Sequence, residues 1–232
     1  MRLVRAELLK LLGLPSSWAA LALCFAVAPA VSYLNRRLPS PDAGYEELIF
    51  GVVGAIVLGV VAVSGEYRVE SAEDAATRQI VTSLTAVPSR VRFLAAKAVA
   101  LILTMTVAAA VTAPATLIIR GGTLAVPRML GVVVYFVLTA LLAFGVTLVT
   151  RSGIVPLTVL IVNATVVSVS FLISRVLPAA NYLPDLAGAR MFVRHGEFNL
   201  PVAPLTGGLV MTGWTVLVVA TGAVVFCRRD AG

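Results

Sequence analysis

At 232 residues, 59% of them hydrophobic and 12% charged, with a mean hydropathy of +1.00, the chain lies far outside the balance of soluble domains and reads as a polytopic membrane protein. A net charge of +7 would suggest nucleic acid in a soluble protein, but here the cations sit in short connections and at the ends of apolar runs, where they act as topology signals. No nucleic-acid partner is expected.

The chain opens with a basic stretch that places Val4, Leu8, Leu11 and Leu12 on one side of a helix, leaving Arg2, Arg5 and Lys10 for lipid headgroups. This pattern predicts an interfacial helix over 2–13, closed by Gly13 and Pro15. The lesser reading is a signal peptide, whose cues would be the basic start and Ala28-Pro29-Ala30. Six apolar stretches then follow, at 18–33, 48–63, 94–119, 129–149, 154–176 and 205–227, each near the roughly 20 residues a bilayer span requires. Their continuous apolar character favours helices over barrel strands, so the expected fold class is an all-α membrane protein with six transmembrane helices in one membrane domain over 1–232. With the N-terminus inside, eleven of the eighteen cations fall on the inner side (Arg2, Arg5, Lys10, Arg68, Arg78, Arg90, Arg92, Lys97, Arg151, Arg228 and Arg229) and seven outside. Both chain ends are therefore expected in the cytoplasm. Arg outnumbers Lys sixteen to two, a balance typical of a GC-rich bacterial genome, and the expected location is a bacterial cytoplasmic membrane.

The second and third apolar stretches are separated by a charged connection over 64–93. From Val69 to Val87 it lacks Gly and Pro, Asp74 precedes Arg78 by four residues, and Ile80, Leu84 and Val87 share one face before Pro88. These features predict a cytoplasmic helix with one apolar side, to be covered by the protein's own span ends, by lipid or by a partner. Counting Lys97 with the inner flank, the interiors of the six stretches carry no Asp, Glu, His, Lys or Arg, which weakens an ion-coupled carrier. Asn163, with Thr158, Thr165, Ser168 and Ser170, is the leading polar group, followed by Thr104, Thr106 and Thr112; either set would line a path or bond between helices. Gly51, Gly54, Gly59, Gly207, Gly208 and Gly213 would let helices approach closely, and Pro29, Pro114 and Pro156 would kink theirs. The connection over 177–206, rich in proline, is expected outside, with a short helix over 186–193 capped by Asp185. There is no phosphate-binding Gly-rich loop with Lys and no metal-ligand or nucleophile motif, and His195 stands alone. The chain is expected to be no enzyme, with no catalytic residue, metal or cofactor of its own.

Gly65-Glu66-Tyr67-Arg68, then Thr77-Arg78-Gln79-Ile80 through Leu84-Thr85-Ala86-Val87-Pro88-Ser89-Arg90, then Ala95-Ala96-Lys97, resembles the ABC type-two exporter permease family. Arg5-Ala6-Glu7-Leu8-Leu9-Lys10-Leu11 is similar to that family's amphipathic start, and Arg228-Arg229-Asp230-Ala231 to its basic end. The resemblance implies a half-transporter that pairs with a second permease subunit, identical or related, and docks on a separate cytosolic ATPase that binds ATP and magnesium. It implies that Glu66, Tyr67, Arg68, Arg78, Ile80, Leu84, Val87 and Arg90 couple to that ATPase, and that 177–206 folds into the outer leaflet. The stretch Val69-Glu70-Ser71-Ala72-Glu73-Asp74-Ala75-Ala76 departs from the family's pattern by being longer and more acidic. A mostly apolar interior suits a drug, lipid or peptide antibiotic as cargo. The competing expectations are a carrier or channel that works without ATP, and an immunity or regulatory membrane protein that transports nothing.

Overall fold

The computed structural model describes residues 2–65, 90–166, 169–194 and 202–228; among these the regular structure is helical, without a strand. In chain order the helices are α1 (Arg2–Gly13), α2 (Pro15–Asn35), α3 (Tyr45–Ser64), α4 (Arg90–Arg120), α5 (Val126–Thr150), α6 (Ile154–Ile161), α7 (Val169–Ser174), α8 (Pro184–Ala189) and α9 (Pro204–Arg228). Five of them, α2 to α5 and α9, are long and apolar enough to cross a membrane, so the chain is a multi-pass helical membrane protein. The connections alternate between two ends of the bundle. One, called here the terminal end, holds α1, the exit of α3 at Gly65, the start of α4, the α5–α6 turn and the end of α9. The opposite end holds the α2–α3 and α4–α5 connections and the described residues 175–194 and 202–203.

The run 154–176, expected as a single span, departs from that expectation. It forms α6, a π-helical turn over Val162–Val166, and α7. The local sequence supplies the reason. Val159, Ile161 and Val162 are β-branched and crowd the helix at χ1, while Asn163 competes for backbone partners through its amide.

α3 is the central helix: two thirds of its apolar window is buried (67%), against 22% for α9. It lies between α2, α4 and α5. Two glycines make this approach possible. A Cβ at Gly54 would lie 2.6 Å from the Ala20 carbonyl oxygen of α2, and one at Gly59 would lie 2.2 Å from that of Ala140 in α5. Gly207 likewise meets Ala187 of α8, whereas Gly213 faces open space. Pro29 and Pro114 lie within helices that continue through them, and Pro156 falls in the first turn of α6.

α1 stops at Gly13 and α2 begins at Pro15, with the corner fixed by Trp18 Nε1 donating to the Leu12 carbonyl at 2.8 Å. Leu11 of α1 is buried, while Arg5 and Leu9 are exposed. Glu7 is buried as well, and its carboxylate meets Lys97 Nζ at 2.9 Å. Lys97, counted with the inner flank on sequence, thus lies two turns inside α4 and only 8% exposed. A lysine at that depth requires a carboxylate, and the amphipathic α1 supplies it.

Candidate functional site

The residues expected from the sequence to carry function fall in the connection between α3 and α4. Glu66, Tyr67, Arg68, Arg78, Ile80, Leu84 and Val87 lie outside the described residues. What the structure does describe is how the two ends of that connection are fastened. Gly65 leaves α3 beside Leu14 at the start of α2. On the return side, Arg90 opens α4, and its Nη1 donates to the carbonyls of Phe226 and Cys227 at 3.3 and 3.4 Å. These carbonyls lie in the last described turn of α9, where a guanidinium meets the negative end of the helix dipole. One turn on, Phe93 stacks with Phe226, with ring centroids 6.5 Å apart. Lys97 Nζ lies 5.1 Å from the Phe93 ring centroid while pairing with Glu7. The first two turns of α4 therefore tie α1 and α9 together. A small crevice lined by Lys10, Leu14, Val61 and Gly65 opens beside the Glu7–Lys97 pair.

Of the residues expected to line a path, Asn163 sits half-buried in the π-helical turn and is bonded on both sides. Its Nδ2 donates to Asp185 Oδ2 of α8 at 2.9 Å, and its Oδ1 accepts from the Ser170 backbone N–H at 3.3 Å and lies 3.4 Å from the Ser170 hydroxyl. Thr165 belongs to the same turn, but its side chain, like Ser168, is outside the described residues. Thr104 and Thr106 donate to carbonyls four residues earlier in their own helix, and the Thr112 hydroxyl lies 3.8 Å from Cys24 Sγ across the α2–α4 contact. Asp185, expected to cap its helix, instead stands in the first turn of α8, with Leu183 at the cap position, and reaches Asn163.

A polar network that sequence reasoning missed occupies the opposite end. Asp42, 1% exposed, pairs through Oδ1 with Arg128 Nη2 and accepts the Arg194 backbone N–H on Oδ2 at 2.7 Å. Arg128 Nε also donates to the Phe192 carbonyl at 2.7 Å, and its guanidinium lies 3.6 Å from the Tyr45 ring centroid. The Tyr45 hydroxyl donates to the Thr123 carbonyl at 2.9 Å. Glu47 pairs with Arg120 at 2.8 Å and accepts the Gly44 N–H at 2.8 Å, closing the first turn of α3, while Arg120 also bonds the Leu38 carbonyl. The arginine fork suits this task, since one side chain can hold a carboxylate and a carbonyl at once. The available signal was positional: Asp42, Glu47, Arg120 and Arg128 all flank expected spans at the same end of the bundle. Arg190 adds bonds to the carbonyls of Val202, Val193 and Arg194, and Trp214 Nε1 of α9 donates to Tyr182 at 3.0 Å.

Among the described residues, the Glu7–Lys97 pair and Arg90 on the α9 carbonyls join helices at the terminal end, and the Glu47–Arg120 and Asp42–Arg128 pairs do so at the opposite end. Among the described residues there is no group of three or more His, Cys, Asp or Glu side chains able to hold a metal ion. Compared with protein-family models and with curated proteins, the chain finds no match.

Proposed function

We propose that this chain is the membrane-spanning subunit of an ATP-driven exporter, working as a pair of permease subunits on a separate cytosolic ATPase. In this reading the interrupted segment of α6 and α7 counts as a sixth span. The terminal end, with both chain ends, faces the cytoplasm of a bacterial cell, and the cargo is a drug, lipid or peptide antibiotic. The observation that carries the reading is the fastening of the α3–α4 connection. A force applied to residues 66–89 would arrive at Arg90 and Lys97, and through them at the end of α9 and at α1. The order of motifs along the chain supports the same reading: an amphipathic α1, the Glu66-Tyr67-Arg68 segment after the second apolar stretch, and basic residues after the last.

The test is gentle detergent purification of the native complex from its own membranes. An ATP-hydrolysing cytosolic protein is expected to copurify and to be lost from the Leu84→Asp variant, with the spans still folded. A chain that purifies without any ATPase, or a Leu84→Asp variant that exports normally, would overturn the coupling assignment.

A further inference from the structure

Ten residues into α9 from Pro204, about 15 Å along the helix axis, the Trp214 indole donates from Nε1 to the Tyr182 carbonyl at 3.0 Å. The turn over Pro178–Tyr182 therefore reaches well below the start of α9. α8, which follows it, lies at a similar level of α5: a Cβ at Gly188 would stand 2.7 Å from the ring of Tyr135, nine residues into that helix. α9 runs about 37 Å and a hydrocarbon core is about 30 Å thick, so this level falls inside the membrane. Tryptophan and tyrosine that face lipid collect at its two borders instead. Yet both side chains are uncovered here, Trp214 being 39% and Tyr182 50% exposed. A phenol hydroxyl needs a hydrogen-bonding neighbour, and acyl chains offer none. Leu217 and Thr221, exposed at i+3 and i+7 from Trp214, continue the same side of α9, and Gly213 next to the indole faces open space. An indole fixed by its N–H, bonded to a tyrosine and with space beside it, suits an aromatic cation: the ring faces attract the charge, and flat apolar rings stack on them.

We propose that Tyr182 and Trp214 form a binding surface for an aromatic cation on the wall of the transport path, with the indole held in place by the Tyr182 carbonyl. The surface faces the path and not the lipid. The inference rests on the exporter reading, whose cargo it narrows to an amphiphile that carries a positive charge on an aromatic body, but binding can be measured on this chain without the ATPase.

The chain has two tryptophans, so Trp18→Phe leaves Trp214 as its single emitter. Reconstituted in vesicles of phosphatidylcholine brominated at mid-chain, this variant should keep most of its Trp214 emission. Loss of most of it would place the indole against lipid and overturn the proposal. In the second experiment tetraphenylphosphonium is dialysed to equilibrium against vesicles of the full chain, with protein-free vesicles as the blank. It should bind wild type saturably and Trp214→Leu about tenfold more weakly, the scale of a desolvated cation–π contact. Trp214→Phe, which keeps a ring but not the N–H, should fall between the two, and uncharged triphenylphosphine oxide should distinguish wild type from Trp214→Leu far less. A retained unfolding transition in each variant separates lost binding from lost structure. Equal binding of tetraphenylphosphonium by wild type and Trp214→Leu, or no saturable binding, would overturn the surface, and an indole still shielded from brominated lipid would then be covered by a second copy of the chain. Failure of the exporter reading would appear separately, as a wild-type chain that purifies without an ATPase, and the dialysis would still decide the surface.

Discussion

At the opposite end of the bundle two carboxylates, Asp42 and Glu47, each face an arginine that also bonds a backbone carbonyl from another segment, so the α2–α3 connection, the end of α4, the start of α5 and residues 192–194 are joined in one network. At the terminal end, among the described residues, the buried Lys97 pairs with Glu7, and Arg90 donates to the Phe226 and Cys227 carbonyls of α9. Arg, with its planar fork, fixes several groups in one geometry, whereas Lys, a point charge on a flexible stem, tolerates displacement of its partner. The contrast is between arginine forks that each hold a carboxylate and a carbonyl and a lysine that holds its carboxylate as a point charge. Under the exporter reading, a push from the ATPase enters at the end where Lys97 and Arg90 hold α1 and α9, while the arginine network of the far end supplies the frame.

The largest test of this contrast is Asp42→Ala. It leaves the Arg128 guanidinium buried without its carboxylate and strips the Arg194 N–H of its acceptor. Breaking a buried pair from one side typically costs about 3–5 kcal/mol, and a loss of that size is expected in detergent unfolding. A loss below about 1 kcal/mol, the range of a surface pair, would show that the far end is no frame. At the terminal end, Glu7→Gln removes the charge facing Lys97 but keeps an amide oxygen to accept from it. Because that oxygen still accepts from Lys97, the expected loss is smaller, about 1–3 kcal/mol. Equal losses at the two ends would erase the distinction.

Much of the frame was legible in the sequence because its cause is simple: apolar runs of bilayer length must satisfy their own backbone, so five of the six expected runs are continuous helices close to their expected bounds. The break in the remaining run was not legible from hydropathy. Ile154 to Val176 is apolar throughout, and the interruption depends on a local contest between β-branched crowding, the Asn163 amide and the distant Asp185. Asn163 itself stood out, but its partner did not, because a pairing twenty-two residues away across a proline-rich connection has no period to reveal it. The buried pairs were hidden for a related reason. Glu7 and Lys97 each look like ordinary interfacial charges, and only the packing of α1 on α4 turns them into a pair. The Asp42 network likewise joins residues up to 152 positions apart.

The smallest expected effect on stability belongs to Arg90, and it separates fastening from coupling most cleanly. Its two bonds to the end of α9 are long, 3.3 and 3.4 Å, and the side chain is only partly buried. A cation at a helix C-terminus contributes about 0.3–1 kcal/mol, so Arg90→Ala should leave unfolding nearly unchanged, particularly as the Phe93–Phe226 stack remains one turn away. If the start of α4 passes force to α9, the same variant should still bind the ATPase and hydrolyse ATP while exporting several-fold less per ATP. Arg90→Lys should recover only part of that coupling, since an ammonium is a single point of attachment where the guanidinium reaches two carbonyls. Were export per ATP to match wild type in Arg90→Ala, the joint between α4 and α9 would be structural only, and the force from residues 66–89 would have to travel through Lys97 and Glu7 to α1 instead.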